Sequence, residues 1–295
     1  MADKTKVINI HDGSISYKRL SLNEKNKKIR FLIIGYGHMG KRYGANLDNF
    51  NCVWDYYDIY IKGGVKDIVL SKYSHIIIST PPEHHYDCYD KLREFKGKIL
   101  IDKPIITDES QKMVLDDKRV SASMTERFNP VVSQIKELIN KDNLISVEFI
   151  RNSNVNAVYW DIPILFDLSI HDLDLYFHIF DENTIPMVTD VFKKGKSLHL
   201  SVKSENDFFT KFTWSHECKK RERRIKIFQT DAVYDVDLID QTILKYEDDN
   251  RVTNLGILKD QPMRTCLMNF LTDDRCDSKL GHNFMLQLMK VKEIF

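Results

Sequence analysis

Between positions 29 and 102, short apolar runs alternate with segments whose apolar residues recur at helical spacing. The short runs are 31–34, 53–58, 75–79 and 99–102; the helical pattern occupies 41–47 and 86–95. Strands apolar on both faces need cover on both sides, so this alternation predicts a parallel sheet between two layers of helices. Beyond Arg127 the pattern changes. Residues 130–139 form a predicted helix with Val131, Ile135 and Leu138 on one side, 144–150 a strand, and 165–180 a second helix. Six extended segments follow with no helix between them: 187–192, 197–202, 208–214, 224–228, 232–239 and 242–246. Such strands are expected to pair antiparallel, as an open sheet with the two helices on one face. Helices over 262–271 and 284–294 close the chain, giving an α/β part followed by an α+β part.

Ahead of both, runs at 7–10 and 14–17 flank His11-Asp12-Gly13, a hairpin signal, and a charged stretch from Glu24 to Lys28 follows. The expected organisation is an N-terminal extension over residues 1–28, a first domain over 29–125 and a second over 126–295. No internal repeat or low-complexity tract interrupts it.

The first apolar run leads directly into Gly35-Tyr36-Gly37-His38-Met39-Gly40, and a helical pattern follows. In that setting G-x-G-x-x-G has a physical meaning. Gly35 permits the tight turn, Gly37 lets backbone approach a pyrophosphate, and Gly40 lets the helix pack on the sheet, whose N-terminus offers free N–H donors. The pattern predicts a Rossmann dinucleotide-binding domain; the alternative is a glycine turn without a ligand. Asp58 follows Gly40 by 18 positions at the end of the second strand. A carboxylate there accepts from both ribose hydroxyls and repels a 2′-phosphate, favouring NAD over NADP. Asp55 is the rival, and Asp58 could instead only begin a turn.

Two further groups carry chemistry. Asp102-Lys103-Pro104 ends the last parallel strand, at the sheet edge where ligands bind, and Pro104 keeps Lys103 extended. Asp167, His171 and Asp174 lie at i, i+4 and i+7 of a largely apolar helix, so one carboxylate could orient one imidazole in a polar pocket. One histidine with carboxylates at this spacing matches no common transition-metal site, and no metal is expected.

Composition narrows the picture by exclusion. Forty-four basic and forty-three acidic residues leave a formal charge of +1 in 295 residues, so no global field draws the protein to nucleic acid or an anionic membrane. The run Lys219-Lys220-Arg221-Glu222-Arg223-Arg224 is then expected to be a solvated hairpin, with a substrate diphosphate as its alternative ligand. Five widely spaced cysteines suggest reduced thiols, and no segment has signal-peptide or membrane-span character. A cytoplasmic location is expected.

The glycine loop, Ser79-Thr80-Pro81-Pro82 through His85-Tyr86, Asp102-Lys103-Pro104, Glu126-Arg127-Phe128-Asn129-Pro130 and the 167–174 helix occur in an order that resembles the glucose-fructose oxidoreductase/inositol dehydrogenase/rhizopine catabolism (Gfo/Idh/MocA) family. The last two phrases, with Thr230-Asp231-Ala232 through Asp237-Leu238-Ile239, are most similar to the branch oxidising C3 of UDP-N-acetylglucosamine. The resemblance implies an NAD-dependent dehydrogenase acting on a sugar or nucleotide-sugar alcohol. Thr80, Pro81, His85, Asp102 and Lys103 would lie on the cofactor side, and Arg127, Asn129 and Asp172 on the substrate side. Lys103, Asp167 and His171 would surround the reacting carbon: His171 as general base, Lys103 stabilising alkoxide charge, Asp167 orienting the imidazole. Self-association through the open sheet is also implied. The chain departs from the family pattern at Asp102, where a glutamate is usual, and at Pro163, where a glycine is expected. These departures, with a short second domain, make a cofactor-binding regulatory protein without turnover the alternative.

Overall fold

The structure is a computed structural model that describes residues 7–8, 15–16, 29–50, 52–153, 162–248, 251–272 and 275–294. β1 (Val7–Ile8) and β2 (Ile15–Ser16) pair antiparallel as the hairpin signal predicts. The rest of the extension and its linker lie outside the described residues.

Five parallel strands form the first sheet: β3 (Arg30–Ile34), β4 (Val53–Tyr57), β5 (His75–Ile78), β6 (Lys98–Ile101) and β7 (Val120–Ala122), in the order β4-β3-β5-β6-β7. Strand parity sorts its core into two layers. Phe31, Ile33, Ile77 and Leu100 pack under Tyr43 and Leu47 of α1 (His38–Asn49). Leu32, Ile76, Ile78, Ile99 and Ile101 face the opposite layer, with Tyr89 of α2 (His85–Asp90) and Val114 and Leu115 of α3 (Met113–Asp116). α2 ends before the predicted 95, because the chain turns after Asp90 to drop Leu92 and Phe95 into this core.

The second sheet has eight strands: β8 (Leu144–Asn152), β9 (Met187–Lys194), β10 (Ser197–Lys203), β11 (Phe209–Ser215), β12 (Glu222–Gln229), β13 (Val233–Asp237), β14 (Thr242–Tyr246) and β15 (Val252–Asn254). Their order is β15-β14-β13-β12-β8-β11-β10-β9. Pairing is antiparallel except between β8 and β11, which run parallel. The expected rule fails there for a topological reason: β8 is separated from the meander by a helix and inserts into its middle. Val147, Phe149, Phe212, Trp214, Ile225 and Ile227 build the inner face, with Phe149 and Phe212 stacked at 5.0 Å. Against it lie α4 (Pro130–Leu138) and α5 (Ile170–Phe180), and α7 (Lys279–Leu288) packs on α5.

Two C-terminal segments return to the first sheet. Met263, Leu267 and Phe270 of α6 (Pro262–Leu271) cover the Phe31–Ile33 face. Each such side chain, fully buried, contributes about 1.5–3 kcal/mol. Arg275 and Cys276 seal the β7 edge: Arg275 Nε donates to the Val120 carbonyl at 2.8 Å and the Ala122 amide to the Cys276 carbonyl at 3.0 Å. An open strand edge thereby loses its unpaired groups.

Candidate active site

The three glycines of the first turn meet different surroundings. Gly35 has φ +89°, and a Cβ there would stand 2.7 Å from the Thr80 nitrogen. A Cβ on Gly40 would overlap the Gly35 carbonyl oxygen, whereas one on Gly37 would have no atom within 4 Å. Two glycines are thus required by the protein's own backbone, and the middle one borders open space. α1 begins at His38 with no side-chain cap and no acidic residue in its first turn. Its first N–H groups and positive dipole end are therefore available to an anion. This cradle fits a dinucleotide pyrophosphate, with Tyr36, His38 and Met39 around it and the Thr80-Pro81 loop alongside.

Asp58 sits just past β4. Its Oδ2 accepts the Tyr36 amide at 2.7 Å, and Oδ1 accepts those of Tyr60 and Ile61 at 2.8 and 2.9 Å. Burial opposes its charge, but the three amides win and hold the carboxyl below the usual range. Oδ2 keeps a lone pair for another donor. Asp55 is committed elsewhere, to Arg30 at 2.8 Å and the Tyr73 hydroxyl at 3.0 Å. Tyr36 stacks on Tyr56 at 3.9 Å, bracing the loop.

Across from this loop, Lys103 and Asp167 meet. Lys103 Nζ donates to Asp167 Oδ1 at 2.7 Å and to the Asp167 carbonyl at 2.9 Å, with side chains 21% and 27% exposed. Two of the three ammonium protons are thereby used. The other carboxylate oxygen, Oδ2, lies 3.2 Å from Nε2 of His216, a residue the sequence reading did not single out. Despite burial, Lys103 and His216 hold the Asp167 carboxyl far below the usual range.

The expected bond from Asp167 to His171 is absent. Residues Leu165–Ser169 form a π turn leading into α5, entered through a tighter start in which the Phe166 and Asp167 amides donate to the Pro163 carbonyl at 2.9 and 3.2 Å. A π turn closes i to i+5, so Asp167 is not stacked over the residue four positions on. It swings toward Lys103 and His216 instead. His171 is half-buried, and its Nδ1 has no hydrogen-bond partner among the described residues. Burial, then the positive charges of Lys103, Arg151 and Arg223, push the imidazole well below its ordinary pKa, against the pull of Asp167.

Behind Lys103 lies a buried supporting layer. Asp102, raised by burial, accepts the Lys103 amide at 2.9 Å, and the Lys103–Pro104 peptide is cis. His85 does not face the crevice as expected of a cofactor-lining residue. It is 1% exposed, with Nδ1 2.7 Å from the Pro104 carbonyl and Nε2 2.8 Å from that of Thr80. It joins the two loops from beneath.

The three residues assigned to substrate are committed to the protein interior. Arg127 makes a two-pronged contact with Asp174, both arms at 2.6 Å. Asn129 caps α4 and donates to the Leu238 carbonyl at 2.8 Å. Asp172 accepts from Arg151 at 2.7 and 2.9 Å and from the Trp214 indole at 2.9 Å. Arg127 and Asp172 are charged groups paired inside the core, and Asn129 is a buried amide with both its oxygen and its nitrogen bonded. Arg151 also reaches Glu126 at 3.1 Å, and Arg223 joins the same carboxylate at 2.6 Å. Arg223 therefore leaves the solvated charge run and points inward; Lys219, Lys220 and Arg221 stay exposed.

Among the described residues no three or more His, Cys, Asp or Glu side chains are grouped to hold a metal, and no helix is long and apolar enough to cross a membrane. No family profile and no curated protein matches the sequence. Solved structures do share the fold. UDP-N-acetylglucosamine 3-dehydrogenase from Acidithiobacillus ferrooxidans aligns with a TM-score of 0.78 at 18% identity, over 90% of this chain and 96% of that one. An oxidoreductase from Thermotoga maritima gives 0.73 at 15%, over 91% and 96%. A dehydrogenase from Clostridium difficile gives 0.69 at 13%, over 89% and 99%.

Proposed function

We propose that the protein is a nicotinamide-dependent oxidoreductase acting on a secondary alcohol, or its ketone, of a sugar, with C3 of a UDP-N-acetylhexosamine as the favoured target. The observation that carries this reading is the meeting of Lys103 and Asp167 at 2.7 Å, beside a half-buried imidazole and across from an uncapped glycine turn. The cofactor would rest on the Gly35–Gly40 turn and Asp58, NAD being preferred because Asp58 repels a 2′-phosphate. A bound nicotinamide supplies the hydride acceptor or donor.

The chain's own residues handle position and protons. Lys103, with two protons on Asp167, has a third for the substrate oxygen, where it stabilises alkoxide charge. His171 is kept unprotonated by burial and three neighbouring cations, so it is ready to accept the hydroxyl proton. Asp167 acts on Lys103, not on the imidazole. Ketone reduction uses the same groups in reverse.

In this reading residues 29–125, with α6, Arg275 and Cys276 returned to their sheet, serve the cofactor and the rest of 126–295 the substrate, in a cytoplasmic protein that self-associates through the outer face of the eight-stranded sheet. Phe192 and Phe209, both exposed, lie on that face. One observation favours a second reading: His171 lacks an orienting carboxylate, as a cofactor-binding regulator without turnover would tolerate. Fluorescence titration with NADH and NADPH, then a panel of nucleotide sugars and free sugars, separates the two. Saturable binding with turnover of one sugar supports the enzyme; binding with none supports the regulator, and no binding removes both.

A further inference from the structure

His216 ends the segment Trp214-Ser215-His216, where β11 runs out. Side chains alternate along a strand, so Trp214 points to the inner layer, Ser215 away, and His216 inward again. The pattern holds: Trp214 reaches Asp172, and Ser215 meets Ser197 on the outer side at 2.8 Å. The His216 amide donates to the Lys196 carbonyl at 3.1 Å, fixing the backbone just past the strand. Its ring is 0% exposed, with Nε2 3.2 Å from Asp167 Oδ2 and Nδ1 buried without a partner among the described residues.

That geometry selects a tautomer. Asp167 is ionised, so the ring nitrogen facing it must carry the proton. A proton on Nδ1 would be a buried donor without an acceptor, which costs about 1–3 kcal/mol. Asp167 is consequently held from both sides: Lys103, after β6 of the first sheet, takes Oδ1, and His216, after β11 of the second, takes Oδ2. A carboxylate turns easily about its last torsion, since that torsion is broad. Freed of His216, it could present both oxygens to Lys103 and draw in the proton otherwise directed at substrate.

We propose that His216 is a positioning residue: through Nε2–H it fixes the Asp167 carboxylate so that Lys103 keeps one ammonium proton for the substrate oxygen. This rests on the oxidoreductase reading above for its kinetic consequence, though the contact itself does not. His216 touches neither substrate nor cofactor and acts only through Asp167.

The test has two arms. Protein labelled with ¹⁵N-histidine, free of cofactor and substrate, is examined by long-range proton–nitrogen NMR, the His216 ring being assigned by its loss in His216→Gln. The expected ring is protonated at Nε2 only, and its signals move in Asp167→Asn. In the second arm, His216→Leu lowers kcat by about 10–100-fold, the size of one hydrogen bond to a charged group, with KM and cofactor affinity nearly unchanged. His216→Gln, whose amide N–H occupies a similar place, recovers most of the loss. Equal losses in the two variants, a Kd for NADH that rises in step with the loss, or a ring protonated at Nδ1 would each overturn the proposal. If the wild-type protein turns over no sugar, the oxidoreductase reading fails and the ring signals decide alone. An Nε2 proton that responds to Asp167→Asn then keeps His216 as the holder of Asp167; an unresponsive one removes it.

Discussion

His282 of α7 accepts the amide proton of Ile105, 177 positions earlier, through Nε2 at 2.9 Å, while its Nδ1 donates to the Ser278 carbonyl at 2.9 Å. The turn that follows Lys103 is thus held from a different part of the fold, by a ring that works only when unprotonated at Nε2. Burial, the largest cause, pushes His282 down to about 4, and His75 and His178 likewise. In the unfolded chain these rings titrate near about 6.5. Between the two values the unfolded chain binds more protons, so stability is full above the unfolded pKa and is lost as pH falls toward 4. Each ring removes up to about 1.4 kcal/mol per pH unit in that window. Thermal melting from pH 7 to 5 should show a falling Tm, less steep in His282→Gln. A level Tm in the wild type would contradict this account.

The glycines give opposite expectations for the same substitution. Gly37→Ala adds a methyl group to open space, so Tm should hardly move. In the complex that methyl competes with the pyrophosphate, an overpacking of about 1–3 kcal/mol, or roughly 10–100-fold in affinity. Gly40→Ala drives a Cβ into the Gly35 carbonyl and should lose stability by about the same energy without any ligand. Melting and NADH titration of both variants check the pair; equal affinity of Gly37→Ala and wild type would place the phosphates elsewhere.

Asp58 serves both the loop and the proposed ribose contact. Asp58→Ala strips three backbone amides of their acceptor and should lower Tm as well as the preference for NADH over NADPH. Asp58→Asn keeps an oxygen for the turn but removes the charge, so it should erode the preference with a smaller loss of Tm. Titrating both cofactors into all three proteins measures the ratio. If the ratio is the same in each, Asp58 reads no ribose and only closes its turn.

His171→Ala and Lys103→Ala should each fold, retain NADH and lose turnover, by about 10²–10⁴-fold for the imidazole if it is the base. Because burial and nearby cations keep His171 unprotonated, the acid limb of kcat/KM should lie below the pH of about 6.5 expected of an unperturbed ring. Activity then persists as pH falls through that value and drops only further down. An acid limb above neutrality, or wild-type rates in folded His171→Ala, would assign the proton to another group.

What could be read from the sequence was whatever depends on neighbours along the chain. The glycine turn is a local steric demand, and Lys103 was marked by a strand ending in a proline. Asp167 and His171 were found by spacing, but their pairing assumed an α turn where Leu165–Ser169 form a π turn. Arg127, Asn129 and Asp172 were placed beside the substrate by resemblance, while the partners that hold them inside lie 47, 109 and 21 positions away and leave no local trace. His216 had a signal that went unused: counting two from the inward Trp214 places it inside. Arg151, also inside, ended the predicted strand early because a charge at a core position resembles a boundary.

The return of the C-terminal segments has a consequence for how the chain comes to be folded on the ribosome. Phe31, Ile33, Ile77 and Leu100 precede by far the second helix that covers them beside α1, Pro262–Leu271, and the groups that close the β7 edge follow at Arg275 and Cys276. Until those segments emerge, the first sheet stays half-dressed, with part of an apolar face and an open edge exposed to solvent and to chaperones. A nascent chain stalled before α6 should be protease-sensitive in its first sheet, which is completed only when α6, Arg275 and Cys276 have emerged.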